Sequence, residues 1–159
     1  MRTLLLASAL LAGLFVSLAA VPVPDTAPGP YRAFCKTMWL FATPCAEIST
    51  KLVQQIQAWS PQYTLLLGLP TYIKANHTSL SSPEGENIIL ILNPTVLSAG
   101  CRVTAMSFSL AFTSLLDGGL NYCNLNNLVS ASGLTSAPGF MEMTNEWACL
   151  SYGLATCKA

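Results

Sequence analysis

The first strong pattern along the chain is a helical spacing of apolar residues after Pro44. These residues recur at intervals of four, four and three positions, at Ile48, Leu52, Ile56 and Trp59. Lysine and glutamine occupy many of the positions between them, and proline is a favoured first residue of a helix. The pattern predicts one amphipathic helix over about 44–59, with its apolar face on a core.

Alternation with a period of two replaces this pattern from Tyr63 to Leu69. Pro70 then makes the segment up to Thr78 either one edge strand or two successive strands. Residues 88–92 follow a polar turn and form a short, wholly apolar run, which is typical of a buried strand.

Another strand is predicted over 101–113, where bulky and small side chains alternate. The bulky side carries Met106, Phe108, Leu110 and Phe112, whereas alanine and serine occupy the other side. We expect the bulky side to contact the helix and the small side to face solvent or another layer.

Two short helices are predicted in the last third of the chain. Asn121 can cap the first of them, which Gly133 ends. The second is predicted over 141–150 from the helical spacing of its large apolar residues. A helix followed by three or four strands with short connections gives an antiparallel sheet, because parallel strands need long crossovers. The expected fold class is therefore α+β, with the helix packed on that sheet.

The first residues have the composition of a secretory signal peptide. Arg2 gives a basic start, an uncharged apolar run follows, and Ser17 and Ala19 are small residues suited to a cleavage site. We expect a cleaved leader over 1–19, an extended proline-containing segment over 20–34, and a single globular domain over 35–159. The mature protein is then secreted and extracellular, without a membrane span.

The cysteines support the same compartment. All six lie after the leader, at Cys35, Cys45, Cys101, Cys123, Cys149 and Cys157. An even number of cysteines in an exported chain indicates disulfide bonds. The sequence does not select among the possible pairings, and our working expectation is three local bridges: 35 with 45, 101 with 123, and 149 with 157. No C-x-x-C motif is present and the single histidine is far from any cysteine in the sequence, so no metal site is expected. No G-x-G-x-x-G or P-loop motif occurs, so no cofactor is expected either.

Asn76-His77-Thr78 is an N-glycosylation sequon, which predicts an exposed asparagine in a glycoprotein. His77 is the single histidine of the chain, and its place within the sequon suggests a surface side chain. A serine or cysteine hydrolase needs a base beside its nucleophile, so no catalytic residue is assigned. The pair Glu142 and Glu146 would share a helix face, as two solvated glutamates also do. An extracellular hydrolase is therefore kept only as a third hypothesis.

Charged residues are few, with seven basic and seven acidic side chains scattered singly along the chain. No basic stripe predicts nucleic-acid binding, and no polybasic run predicts attachment to an anionic membrane. Between Glu86 and Glu142, only Arg102 and Asp117 are ionisable. The chain therefore either buries much apolar surface under serine, threonine and asparagine, or uses that surface for binding.

Our first hypothesis is a secreted binding protein that holds a small hydrophobic ligand or lipid in a cavity between helix and sheet. The expected lining residues are Trp59, Leu65, Leu67, Leu90, Met106, Phe108, Leu110 and Phe112. The alternative is an extracellular protein-interaction or inhibitor module, with a partner patch or self-association face and no small ligand.

Overall fold

A computed structural model of the protein describes residues 32–80, 82–96, 99–110 and 116–157. The predicted leader, most of the extended N-terminal segment and Phe112 lie outside these residues. The predicted boundary at residue 35 falls inside a strand that begins at Phe34.

The described residues form a six-stranded antiparallel sheet. Its strands are β1 (Phe34–Phe41), β2 (Tyr63–Leu69), β3 (Tyr72–Ser79), β4 (Ser82–Pro94), β5 (Cys101–Ser109) and β6 (Met141–Met143). The order across the sheet is β2-β3-β4-β5-β1-β6. The first strand therefore lies between β5 and β6, and the chain must cross the whole sheet to reach β2 at the opposite edge.

That crossing is made by the predicted amphipathic helix, α1 (Cys45–Ala58). Its bounds confirm the prediction to within one residue at each end, and its buried residues include Ile48, Leu52 and Ile56. A second helix, α2 (Leu120–Ala131), packs against β5, β1 and α1. Short 3-10 turns at Leu134–Ser136 and Tyr152–Leu154 complete the structure.

The α+β class is confirmed, but the sheet is larger than the predicted three or four strands. The segment around Pro70 forms two strands joined by a turn, β2 and β3, which settles the alternative left open above. The strand β1 was missed, although its inward residues alternate regularly at Cys35, Thr37, Trp39 and Phe41.

The predicted helix over 141–150 is wrong. Met141–Met143 instead pairs with β1 as the short edge strand β6, and turns follow it. The spacing of large apolar residues fits a helix, yet backbone pairing to β1 satisfies the same segment once the sheet has formed. Asn121 lies inside α2 rather than capping it. The carboxylate of Asp117 accepts hydrogen bonds from the backbone nitrogens of Gly119 and Asn121, at 2.9 and 2.7 Å.

The expected disulfide pairing is also wrong. The bonds are Cys35–Cys149, Cys45–Cys101 and Cys123–Cys157, and no cysteine of the described residues is free. The fold instead brings together residues that are 114, 56 and 34 positions apart. The second bond joins the start of α1 to β5, and the third joins α2 to the C-terminal segment.

Both helices cover the same side of the sheet, which we call the inner face. On β5 that side carries Val103, Ala105, Ser107 and Ser109, all buried. Met106 and Phe108 lie on the opposite side, the outer face. The prediction that the bulky side of this strand contacts the helix is therefore wrong. The helices bring large side chains of their own, such as Leu52 and Leu125, so small sheet residues opposite them give a close-packed core.

Candidate functional site

Four polar side chains cross the inner face at one end of the sheet. Tyr63 pairs with His77, His77 with Glu86, and Glu86 with Ser109, so that β2, β3, β4 and β5 each contribute one residue. All four are buried. We call them the inner polar row.

His77 and Glu86 form a buried pair at the centre of this row. Nδ1 of His77 lies 2.8 Å from Oε2 of Glu86. The side-chain nitrogen of Asn124, on α2, donates to the same oxygen at 3.2 Å. The other oxygen of Glu86 has no hydrogen-bond partner among the described residues. Because a buried carboxylate is costly without partners, the contacts to His77 and Asn124 tie two strands to α2.

Tyr63 extends the row toward α1. Its ring centroid lies 4.6 Å from that of His77 and 5.2 Å from that of Trp59. Its hydroxyl donates to the backbone oxygen of Asn124 at 3.1 Å. Burial, followed by the negative charge of Glu86, raises the pKa of Tyr63 well above its usual value.

Asn121 connects the other end of the row to the start of α2. The hydroxyl of Ser107 donates to Oδ1 of Asn121 at 2.6 Å, and the amide nitrogen of Asn121 donates to the hydroxyl of Ser109 at 3.0 Å. The same nitrogen donates to Asp117 at 2.7 Å. The small polar residues on β5 are therefore partners for the helix. This explains their inward position.

A carboxylate–imidazole pair is the arrangement that general acid–base catalysis uses, but it must reach a substrate. His77 is 4% exposed and Glu86 is 0% exposed. The expectation of a surface histidine is wrong, and the alternation of Ile73, Ala75 and His77 on β3 was the signal that could have placed it inside. We interpret the row as polar core.

The prediction of an exposed sequon asparagine is wrong: Asn76 lies on the outer face but is half-buried, between Thr64 and Asn87 in the strand register. Its side-chain oxygen is buried and has no hydrogen-bond partner among the described residues. A glycan at this position would project from the outer face. Occupancy of the sequon stays a prediction.

The predicted ligand-lining residues do not share one face. Leu90 is in the core, and Trp59 and Leu65 pack against it. Leu67, Met106 and Phe108 lie on the outer face, as their strand partners show. Leu110 follows the end of β5, and Phe112 is outside the described residues.

The outer face carries apolar side chains from edge to edge of the sheet. Its outward positions include Phe34, Met38, Leu40, Leu67, Leu69, Tyr72, Ile89, Ile91, Met106, Phe108, Met141 and Met143. Each is exposed or half-buried, since both helices pack on the inner face. This surface contains four methionines, whose flexible side chains adapt to an irregular contact.

Three basic residues stand among these apolar positions. Lys74 pairs with Ile89, Ile89 with Met106, and Met106 with Lys36, so the two lysines lie in one row. At the usual strand spacing, their Cα atoms are about 14 Å apart. Arg102 lies four residues from Met106 along β5. Among the described residues, no acidic side chain occupies an outward position in the strand register, so this face is cationic.

A surface depression opens at the edge of the sheet, where β1 continues past β6. Lys36, Met38 and Met143 lie on the outer side of the sheet, whereas Glu142 pairs with the inward residue Trp39 and lies on its inner side. The depression has a volume of about 530 Å³, and its walls include Lys36, Met38, Glu142, Met143 and Tyr152. We call it the Glu142 groove. A volume of this size is within the range of small-ligand sites.

Glu142 is held in this groove by two neutral donors. The indole nitrogen of Trp39 donates to Oε2 and the hydroxyl of Tyr122 donates to Oε1, each at 2.8 Å. Burial, followed by the hydrogen bond to Glu142, raises the pKa of Tyr122 above its usual value. The ring of Tyr152 meets that of Tyr122 edge to face, with centroids 4.8 Å apart. These contacts fix the carboxylate without cancelling its charge.

Glu146 lies apart from this arrangement. Its carboxylate accepts a hydrogen bond from the backbone nitrogen of Gly153 at 2.6 Å. Because 141–150 is not a helix, Glu142 and Glu146 do not share a helix face. From the sequence, Glu142 was singled out for a position on a helix, which it does not have.

Within the described residues, no helix is long and apolar enough to cross a bilayer, and no cluster of His, Cys, Asp and Glu side chains suited to a metal ion is found. The sequence matches no model of a protein family and no curated protein.

The fold is weakly similar to three solved structures. A protein from Thermobifida fusca is 17% identical over 66% of this chain and 96% of its own, with a TM-score of 0.36. A protein from Thermus thermophilus is 10% identical over 64% of this chain and 90% of its own, with a TM-score of 0.30. Ara h 8.0201 is 9% identical over 67% of this chain and 94% of its own, with a TM-score of 0.32. At these TM-scores, none of the three bears on function.

Proposed function

We propose that this chain is a secreted, disulfide-bonded binding protein that attaches to an anionic lipid surface through the outer face of its sheet. The observation that carries the proposal is an apolar face that none of the described helices covers and that contains Lys36, Lys74 and Arg102 without an acidic partner in the strand register. Contiguous apolar surface on a soluble domain indicates an interaction site. The basic side chains give that site a preference for negative charge.

A lipid layer fits this face better than a small hydrophobic ligand does. Ligand pockets bury most of the ligand surface, whereas a molecule lying on an open sheet would keep one side in water. A lipid layer surrounds the inserted side chains instead. Lysine and arginine can place their apolar stems beside Met106 and Ile89 while their charged ends reach the headgroups.

A second copy of the chain is a poor occupant. Packing two outer faces together would bring Lys36, Lys74 and Arg102 of one copy near those of the other, with no acidic residue at the paired outward positions to offset them. Like charges at such a contact oppose association. An anionic occupant removes this cost.

The test is cosedimentation of the protein with vesicles of phosphatidylglycerol or of a neutral galactolipid, which has neither a net charge nor an ammonium group. We expect binding to the anionic vesicles, weakening with salt. Each basic residue near an anionic surface contributes about 1 kcal/mol, so Lys74→Ala should weaken binding about fivefold and the triple variant with Lys36→Ala and Arg102→Ala on the order of a hundredfold. Met106→Ser should weaken binding without changing the dependence on salt.

Two matched controls separate the outer face from general charge and apolarity. Lys51→Ala removes a half-buried lysine of α1, which pairs with Glu47 at 3.2 Å, and Leu154→Ser removes an exposed apolar side chain of the last 3-10 turn. Both should bind like the parent protein. Each protein is also tested with Thr78→Ala, which removes the sequon without changing the charge of the face, so that a glycan on Asn76 cannot conceal it.

Equal binding to both vesicle types, or equal losses in the controls, would overturn the proposal. Binding to soluble polyglutamate as strong as binding to phosphatidylglycerol would replace the lipid surface by an acidic macromolecule, which is the protein-interaction alternative.

A further inference from the structure

We infer that the Glu142 groove binds the ammonium group of a phospholipid headgroup, with Lys36 contacting the phosphate of the same headgroup. This inference rests on the proposed attachment to lipid and names the headgroup chemistry that the groove at the edge of the sheet selects.

The position of the groove supports a headgroup rather than an unrelated small molecule. Lys36 and Met38 belong both to the outer face and to the groove wall, and Met143 pairs with Met38 on the same side of the sheet. A lipid whose chains lie against these methionines can place its headgroup at the sheet edge, where the groove reaches from the outer side to Glu142 on the inner side.

The groove contains one basic and one acidic side chain, which suits a ligand that carries both a negative and a positive charge. Lys36 and Glu142 line the same depression but form no ion pair with each other, so neither satisfies the other. Glu142 is already oriented by Trp39 and Tyr122, which are neutral donors. An oriented carboxylate with uncancelled charge is a strong partner for an ammonium group.

Tyr152 adds an aromatic wall beside this carboxylate. Its ring is held by the edge-to-face contact with Tyr122. An ammonium group over an aromatic face is attracted by the ring quadrupole, and quaternary ammonium groups use this contact in many binding sites. The groove therefore combines a carboxylate, an aromatic wall and a lysine, which is the set that a phosphate ester of an amino alcohol requires.

The experiment is an NMR titration of the full mature protein with soluble headgroups, followed through the indole N–H signals. The Trp39 indole donates directly to Glu142, so its signal reports occupation of the groove. Trp59, at the end of α1, is the internal control. Phosphoethanolamine and phosphocholine should shift the Trp39 signal and leave that of Trp59 unchanged. Inorganic phosphate and ethanolamine, each lacking one of the two charges, should bind on the order of tenfold more weakly.

Glu142→Gln keeps the size of the side chain and removes its charge. We expect a loss on the order of tenfold in headgroup affinity, with unchanged binding to phosphatidylglycerol vesicles, whose headgroup has no ammonium. Glu47→Gln, on the exposed side of α1, is the matched control and should retain headgroup binding. Tyr152→Leu should weaken phosphocholine about two- to fivefold and provides a second variant if Glu142→Gln does not fold.

The possible failures are distinguishable. If anionic vesicles bind but no headgroup shifts the Trp39 signal, this inference is overturned and the proposed function stands. If headgroups bind but vesicles do not, attachment through the outer face is overturned. Inorganic phosphate binding as tightly as phosphoethanolamine would overturn the assignment of Glu142 to an ammonium group.

Discussion

The two faces of the sheet contradict the expectation that the side with the bulkier residues is the buried one. The inner face of β5 carries small and polar residues, such as Ala105 and Ser107, and is completely buried. The outer face of the same strand carries Met106 and Phe108 and remains partly exposed. Burial therefore follows the position of the helices rather than the size of the sheet side chains. A helix needs space, and small residues provide it.

The inner face is itself divided. Beneath α1 it is apolar, with Ile73 and Leu90 fully buried, whereas the end beneath α2 holds His77 and Glu86. The outer face has no such division and mixes apolar and cationic positions with neutral polar ones, such as Asn87 and Thr104. Its composition suits an adaptable contact with a lipid layer and its headgroups. The inner polar row suits a single fixed arrangement, because its side chains bond to one another and to α2.

The largest expected difference between the faces concerns stability. Leu90 and Ile91 are neighbours on β4, but Leu90 is fully buried on the inner face and Ile91 is half-buried on the outer face. Leu90→Ala should lower the free energy of unfolding by about 2–5 kcal/mol, because it leaves a cavity in the core. Ile91→Ala should cost much less. Chemical denaturation of both variants measures this, and equal losses would contradict the assignment of the faces.

A smaller effect is expected in the inner polar row. Glu86→Gln keeps the shape of the side chain but weakens its bonds to His77 and Asn124, so the free energy of unfolding should fall by about 1–3 kcal/mol. Glu84→Gln removes an exposed carboxylate from the same strand and should change it by less than about 0.5 kcal/mol. An unchanged free energy of unfolding in Glu86→Gln would show that these bonds contribute no stability.

The smallest effect concerns Tyr63. Its pKa is raised in the folded protein, so both states keep the phenol proton below about pH 10, and the unfolded state loses it first as the pH rises further. Stability should therefore fall above about pH 10, by at most about 1.4 kcal/mol per pH unit for this group.

Tyr63→Phe should remove that part of the alkaline loss. It should also cost about 1 kcal/mol at neutral pH, because the hydrogen bond to Asn124 is lost. Urea unfolding at pH 8 and at pH 11 measures both effects. An unchanged alkaline slope in the variant would contradict the buried position of the phenol. Tyr122, whose pKa is also raised, should leave a residual slope.

Local signals were sufficient for the elements that depend on near neighbours. The spacing of Ile48, Leu52 and Ile56 located α1. Pro70 marked an interruption, but only the pairing of β2 with β3 decided between one edge strand and two strands. The alternation on β5 located a strand but did not decide its orientation, because either side of an alternating strand can face a helix. The choice depends on what α2 places opposite Ser107 and Ser109.

The residues of the candidate sites could not be grouped from the sequence, because they are far apart along the chain. Lys36, Lys74 and Arg102 are scattered along the sequence and meet only through the pairing of β3, β4, β5 and β1. Glu142 acquires its setting from Trp39, a residue 103 positions away. No local pattern carries such information.

By itself, the sequence determined that the domain is α+β, that an amphipathic helix covers one side of a sheet, and that the cysteines are suited to disulfides. Periodicity and composition carry these features because they concern residues close in the chain. Only the tertiary structure decided the disulfide partners, the burial of His77 and the identity of the uncovered face. Each of these depends on contacts between distant segments, and the position of β1 between β5 and β6 brings those segments together.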